Sequence, residues 1–97
     1  MANILSKEQS EQTRRIRARQ KELNLNGWMC EGADDDLFVA FNNDTQQSFS
    51  CDYYGNIQWA IDKNDDSFEL SEELKEFARL EGMICRIAYL DERIKED

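Results

Sequence analysis

The chain has no histidine, no proline, four glycines and three cysteines among its 97 residues. Without histidine it lacks the commonest general base and the commonest metal ligand. The glycines stand apart at positions 27, 32, 55 and 82, so they form no phosphate-binding loop. The cysteines show no CxxC spacing, which favours reduced, buried and inert thiols: Cys30, Cys51 and Cys85. We therefore expect no enzymatic activity, no catalytic residue, no metal and no cofactor.

Long apolar runs are also absent. No stretch of about 18 apolar residues is present, so we expect no membrane span and no membrane contact. The N-terminus opens with polar and charged residues, unlike a secretory signal. An apolar content of 40% is enough for one small core, so residues 1–97 are expected to form a single domain. Reduced thiols favour a cytoplasmic location.

Positive charge is scarce beyond Leu25. Residues 1–25 carry a net charge of +3, whereas residues 26–97 carry −12, for a total of −9. Between positions 31 and 76, thirteen acids face only Lys63 and Lys75. A strongly anionic surface on a small domain repels itself, which favours a function in binding a cationic partner. The alternative interpretation is that the acids keep a small protein soluble.

Two segments have helical patterns. Ser6 and Gln9 have capping-box spacing, which predicts an N-terminal helix from Lys7 to about Leu23 within a basic segment 1–26. Ser71 precedes a C-terminal helix within residues 67–97, which would run from 72 to 95 if it is continuous. Its apolar stripe is expected to cover the sheet: Phe77, Leu80, Ile84, Ile87 and Ile94. Gly82 lies inside this segment and is unfavourable in a helix interior, so one continuous helix, a kinked helix and a helix pair remain as alternatives.

Residues 27–66 have strand patterns. Leu37–Phe41 is a short apolar run, and Phe49, Cys51 and Tyr53 alternate with polar residues at the period of a half-buried strand. After a turn at Gly55, the side chains Ile57, Trp59 and Ile61 alternate in the same way. The fold class predicted is α+β: a small antiparallel meander of three strands, or four if residues 27–32 add an edge strand. Helix is expected to cover one face, with helices at both termini.

The acids supply the candidate binding site. Duplex DNA is bound through Lys and Arg that neutralise its phosphates, so carboxylates held on a rigid protein can occupy the same groove and exclude DNA. Tyr54 is expected to be an exposed aromatic anchor at the hairpin turn. The candidate partner-binding residues are Asp34, Asp35, Asp36, Asp52, Tyr54, Asp62, Asp65, Asp66, Glu69, Glu72, Glu73 and Glu76.

Two further motifs are better explained without a ligand. The segment Asp62–Glu73 has acids at calcium-loop positions 1, 5 and 12, but Ser67 replaces the required glycine and a strand replaces the entering helix. A solvated loop is the preferred interpretation. The basic residues of the first helix spread around it: Arg14, Arg15, Arg17, Arg19 and Lys21. Solvation, docking against the acidic body, contact with a partner and contact with nucleic acid remain as alternatives.

In size, charge partition and helix–meander–helix order, the chain resembles small anti-CRISPR proteins of phages and prophages, and more narrowly the type I-F inhibitors that imitate duplex DNA. The resemblance implies that the protein acts in the cytoplasm of a bacterial host cell. It also implies that the partner is the crRNA-guided surveillance complex, bound at the Lys/Arg-lined DNA site of its large and backbone subunits. It implies no direct contact with nucleic acid. The alternative is an acidic immunity or accessory protein that caps a different basic, nucleic-acid-binding partner.

Overall fold

The computed structural model describes residues 6–23, 25–33 and 36–92, which form two helices and four strands. In chain order these are α1 (Lys7–Glu22), β1 (Trp28–Gly32), β2 (Leu37–Asn42), β3 (Gln47–Asp52), β4 (Ile57–Ile61) and α2 (Glu72–Leu90). The strands form one antiparallel sheet in the order β1-β2-β3-β4. The predicted α+β class is confirmed, and residues 28–32 supply the fourth, edge strand.

Helix α1 begins as its sequence predicts. The Ser6 hydroxyl accepts a hydrogen bond from the backbone N–H of Gln9, and the Gln9 side chain accepts one from the backbone N–H of Ser6. These reciprocal bonds satisfy two amide groups that a helix start otherwise leaves without partners. The helix ends at Glu22, within one residue of the predicted end.

The inner face of the sheet carries the core. Phe38 and Ala40 of β2 and Phe49 and Cys51 of β3 are all at most 1% exposed. The two phenylalanine rings meet edge to face with their centroids 6.5 Å apart, and Trp28 lies 5.4 Å from the ring of Phe49. Alternation of buried and half-buried residues along β2 is the pattern of a strand with one covered face.

In strand β4, the side chains that face the core are not the ones that the alternating sequence pattern predicts. Ser50 pairs with Trp59, whereas Cys51 pairs with Ile57, so the register shifts by one residue between them. This β-bulge leaves Ile57 on the side of α2, while Trp59 and Ile61 lie on the outer face. Trp59 is therefore 44% exposed, and its expected place in the core is wrong. The inner position of β4 is taken by Ala60, opposite Phe49.

Helix α2 is one continuous helix through Gly82, so of the alternatives left open by the sequence, the single helix is the one observed. Glycine is needed here for a different reason: a Cβ at this position would lie 2.3 Å from the backbone oxygen of Tyr53. Only a residue without a side chain lets the helix approach the end of β3 this closely. The helix ends at Leu90, and Asp91 follows in the left-handed conformation. The predicted continuation to residue 95 is therefore wrong: the helix stops five residues earlier, where Asp91 leaves the helical conformation.

The two apolar sides of α2 cover different partners. Leu74, Ala78 and Cys85 pack on the inner face of the sheet. The larger Leu80, Ile84 and Ile87 pack instead with Ile16 of α1, so the expectation that these three cover the sheet is wrong. Phe77 packs against the cluster on the sheet, as expected, and Ile94 lies outside the described residues. Helix α2 thus lies between the sheet and α1.

A polar cluster joins the two helices beside this apolar contact. Arg17 of α1 forms an ion pair with Glu81 of α2 at 2.6 Å, and the amide of Gln20 donates to the same carboxylate at 3.1 Å. Glu81 is only 7% exposed, so its charge requires these partners. Among the alternatives for the basic residues of α1, docking against the protein's own acidic body is confirmed for Arg17.

We predict that Gly82→Ala destabilises the fold by about 2 kcal/mol or more, because the new methyl group forces α2 away from Tyr53. In an ordinary helix interior the same change stabilises by about 1 kcal/mol, so the sign is diagnostic. The free energy of unfolding is measured by urea denaturation followed by circular dichroism.

Gly32→Ala is the matched control. A Cβ at position 32 meets no atom within 4 Å, so its effect stays within about 0.5 kcal/mol. A Gly82→Ala variant as stable as the control would contradict the close approach of helix and sheet.

Candidate partner-binding surface

The fold distributes the predicted site residues over three places. One is the hairpin end of the sheet, where Asp36 precedes β2 and the turn after β3 carries Asp52 and Tyr54. A second is the loop end, formed by residues 43–46 and 62–66, roughly 17 Å away at five residue steps along a strand. The third is the start of α2, with Glu72, Glu73 and Glu76. Glu69 is exposed between the last two places. Asp34 and Asp35 lie outside the described residues.

At the hairpin end, the carboxylate of Asp52 holds the β3–β4 turn. It accepts hydrogen bonds from the backbone N–H groups of Tyr54 and Asn56 and from the Asn56 side chain, at 2.8–2.9 Å. Its modest burial opposes ionisation, but together these hydrogen bonds prevail and lower the pKa of Asp52. The backbone N–H of Tyr53 donates a hydrogen bond to the backbone carbonyl of Asp36, which joins the two turns. Asp52 is thus required by the turn itself.

Tyr54 is 54% exposed, as the sequence predicts, but its ring is not free to move. Its hydroxyl donates to Glu92 at 3.3 Å, and the Arg86 guanidinium lies 4.7 Å from the ring centroid. Partial desolvation and the neighbouring Glu92 carboxylate raise the pKa of Tyr54. These contacts present one face of an aromatic ring in a fixed orientation.

A groove of about 610 Å³ runs between Tyr54, the end of α1 and the first turns of α2. It contains all three predicted glutamates of α2, but cations line it as well: Arg19, Lys75 and Arg79. Arg19 binds Glu76 through two hydrogen bonds of 2.6 and 3.1 Å, and Lys75 lies 3.5 Å from Glu72. The hydrogen bond from Arg19 is the main cause that lowers the pKa of Glu76. The groove therefore carries nearly balanced charge, which the sequence analysis did not anticipate.

The loop end is where the described acids dominate. Asp44, Asp62, Asp65 and Asp66 lie there, and Lys63 is the one cation between residues 43 and 66. Within the described part of the chain, none of these four aspartates forms an ion pair. Asp44, Asp62 and Lys63 line a common cleft of about 380 Å³ between the two loops.

Both loops at this end are fixed by short side-chain contacts. Asp62 accepts hydrogen bonds from the backbone N–H groups of Asn64 and Asp66, at 2.8 and 3.1 Å. In the neighbouring loop the buried Asn42 accepts from the N–H groups of Asp44 and Thr45, at 2.9 and 3.2 Å. The carboxylates of Asp44, Asp65 and Asp66 are therefore carried on backbone that cannot easily rearrange.

Asp44 was not among the predicted site residues. The Asn-Asn-Asp-Thr composition of residues 42–45 favours a turn, but the position of Asp44 beside Asp62 depends on the pairing of β3 with β4. The sequence predicts this antiparallel meander, so the proximity of the two loops could have been inferred from it.

The segment that resembles a calcium loop has a different structure. Strand β4 enters it, and one carboxylate oxygen of Asp62 is committed to the loop's own backbone. Among the described residues, no three acidic or thiol side chains converge as a metal site does. Neither described helix has the length and apolar character of a membrane span.

The cysteines are poor nucleophiles in this structure. Burial is the main cause that raises the pKa of all three thiols, to about 12 for Cys51 and about 11 for Cys85. At neutral pH the thiolate is therefore scarce. No disulfide links them.

Comparisons with protein-family models, with curated protein sequences and with solved structures found no match to this chain. Its function is therefore argued from its own residues.

We predict that the carboxylate of Asp52 makes the free energy of unfolding depend on pH. Because its pKa is lower in the folded than in the unfolded chain, its contribution is complete above the unfolded value of about 4 and disappears as the pH falls through the folded value. The wild type should exceed Asp52→Asn by at most about 1 kcal/mol at pH 7, because solvent screens this partly exposed carboxylate, and the difference should shrink as the pH falls below about 4.

Urea denaturation of both proteins across this pH range measures the difference. Asp44→Asn removes the same charge from an exposed carboxylate that accepts no hydrogen bond in the described structure, and serves as control. Parallel stability curves for the wild type and Asp52→Asn would contradict the role of the carboxylate in the turn.

Proposed function

We propose that this protein is a non-catalytic inhibitor that binds a basic, nucleic-acid-binding surface of another protein and competes with DNA there. The crRNA-guided surveillance complex of a type I-F CRISPR system, which the resemblance implies, is the first partner to test. The loop end supports this proposal more than any other feature, because it holds four carboxylates on rigid loops against one lysine.

The rigidity of the loops matters for this function. Phosphates along duplex DNA occupy fixed positions, with one charge per about 1.7 Å of the axis. A protein groove built for them gains most from carboxylates that are already in place, because no ordering cost accompanies binding. The hydrogen bonds of Asp62 and Asn42 provide this order at the loop end.

The groove beside Tyr54 contributes less to the proposed electrostatic contact. Arg19 and Arg79 offset the charge of Glu72 and Glu76 there, so this surface attracts a cationic groove less strongly than the loop end does. We assign the main electrostatic contact to Asp44, Asp62, Asp65 and Asp66, with Glu69 and Glu73 as further exposed acids.

The deciding experiment titrates the purified protein into a type I-F surveillance complex and measures binding of labelled target duplex. Loss of duplex binding that excess duplex reverses is the expected result, because the two ligands share one site. Unchanged duplex binding, with the protein in large excess, would contradict this partner. It would favour the alternative of an immunity or accessory protein for another basic partner.

We predict that Asp44→Lys/Asp66→Lys weakens binding to the complex at least about tenfold. Each reversal removes an attraction and adds a repulsion, each worth about 0.3–0.5 kcal/mol at an exposed site. Neither carboxylate accepts a hydrogen bond in the described structure, so the fold should be retained. The dissociation constant is measured by titration calorimetry or interferometry.

Glu11→Lys/Glu22→Lys changes the net charge equally, but on exposed positions of α1, and should weaken binding less than threefold or so. Wild-type binding should also weaken as salt is raised. Equal effects of the two double variants would show that overall charge matters and the loop end does not.

A further inference from the structure

Asn26 and Gly27 form the turn that leads into β1. Asn26 is the one asparagine in the chain that is followed by glycine, and both residues are exposed. Gly27 has a φ of +87°, in the left-handed region that glycine adopts without strain. Among the described residues, neither the side chain of Asn26 nor the backbone N–H of Gly27 forms a hydrogen bond. The two groups are therefore free to react with each other.

The side chain of an asparagine can be attacked by the backbone nitrogen of the next residue. The Gly27 nitrogen gives up its proton and forms a bond to the side-chain carbonyl carbon of Asn26. The bond from that carbon to the side-chain nitrogen breaks, and ammonia leaves with the proton. The product is a cyclic imide, which water then opens, so that the net change is loss of ammonia and gain of water without oxidation or reduction. Glycine favours the attack because it has no side chain to crowd the nitrogen.

Water can open the imide at either of its two carbonyl groups. Opening at the former side-chain carbonyl gives aspartate, whereas opening at the former main-chain carbonyl gives isoaspartate. In isoaspartate the peptide link to Gly27 runs through the former side chain, so the main chain is one carbon longer and the old main-chain carbonyl becomes a carboxylate. Both products add a negative charge. Asn26 lines an open cleft of about 300 Å³, so water reaches it.

The main-chain carbonyl of Asn26 helps to hold the loop end. The buried Asn42 donates to this oxygen at 3.0 Å through its side-chain nitrogen, while its side-chain oxygen accepts from the N–H groups of Asp44 and Thr45. Packing is tight here, since a Cβ on Gly27 would lie 2.9 Å from side-chain oxygens of both Asn42 and Asp44. A longer main chain at position 26 therefore displaces the side chain that orders the loop of Asp44.

We propose that Asn26–Gly27 is a site of spontaneous deamidation, and that its isoaspartate form loosens the loop at residues 43–46. The reaction needs water and no enzyme. It places a negative charge beside Asp44, and it takes the oxygen that Asn42 binds out of the main chain. An effect on binding to a basic partner rests on the proposed function, whereas the modification and the loosening of the loop do not.

Peptide mapping of the full chain tests the modification. The folded protein is incubated at mildly alkaline pH, which favours loss of the N–H proton, and samples are digested and analysed by chromatography and mass spectrometry. Asn26 should deamidate at least about tenfold faster than Asn56 and Asn64, which are exposed but are not followed by glycine. Isoaspartate and aspartate peptides have equal mass and separate on the column. A rate at Asn26 no higher than at the other two would overturn the proposal.

Hydrogen exchange followed by NMR tests the effect on the loop. The N–H groups of Asp44 and Thr45 should exchange about fivefold faster in the isoaspartate form than in fresh protein, because the hydrogen bonds to Asn42 are weakened. Unchanged exchange at these two groups would overturn the link between the turn and the loop.

The neighbouring loop is the matched control. Its Asn64 and Asp66 N–H groups are held by Asp62 in the same manner, and their exchange should not change. Equal acceleration in both loops would show a general loss of stability and would overturn the proposed local effect.

Asn26→Glu separates the added charge from the longer main chain. The variant has a carboxylate at position 26 and a normal peptide link, so exchange of the Asp44 and Thr45 N–H groups should stay within about twofold of the fresh wild type. Acceleration equal to that of the isoaspartate form would assign the effect to charge and overturn the role of the main chain. These measurements use no partner, so they succeed or fail independently of the proposed function.

Discussion

The close contact between Gly82 and the backbone of Tyr53 determines how the rest of the molecule is arranged. It lets α2 lie flat on the inner face of the sheet, with the small Ala78 and Cys85 on either side of the glycine along the helix. The larger apolar residues of α2 are then directed to α1. Helix α2 thereby contributes to two apolar clusters, one with the sheet and one with α1. Neither of the two described helices covers the outer face of the sheet.

Electrostatics follow from the same arrangement. Because α1 packs on α2, its arginines reach the glutamates of α2: Arg17 meets Glu81, and Arg19 meets Glu76. Two arginines of the basic segment are thus used within the molecule, and Arg19 neutralises one part of the acidic surface. The charge that remains is concentrated in the loops of the sheet, where Asp44 and Asp62 are held by side-chain contacts to the backbone.

Local signals predicted most of the fold, since they act over a few residues. The Ser6–Gln9 capping box, the alternation along β3 and the Ser71 cap each specify an element without reference to the rest of the chain. The errors came from non-local contacts. Trp59 is exposed because a bulge shifts the pairing of β3 with β4. Gly82 is required because α2 passes close to the backbone oxygen of Tyr53, just after β3. The exposed Tyr54 could be predicted, whereas the neutralisation of Glu76 by Arg19 required the packing of two distant helices.

The same arrangement explains why the loop end keeps its negative charge and the other acidic places do not. At the hairpin end, the Asp52 carboxylate is used by the turn that it holds together. At the start of α2, Arg19 reaches Glu76 because α1 packs against α2. The loops after β2 and β4 lie at the opposite end of the strands from the hairpin turn, and among the described residues no arginine of α1 forms an ion pair with their aspartates. The packing of the two helices therefore offsets one part of the acidic surface and leaves the other.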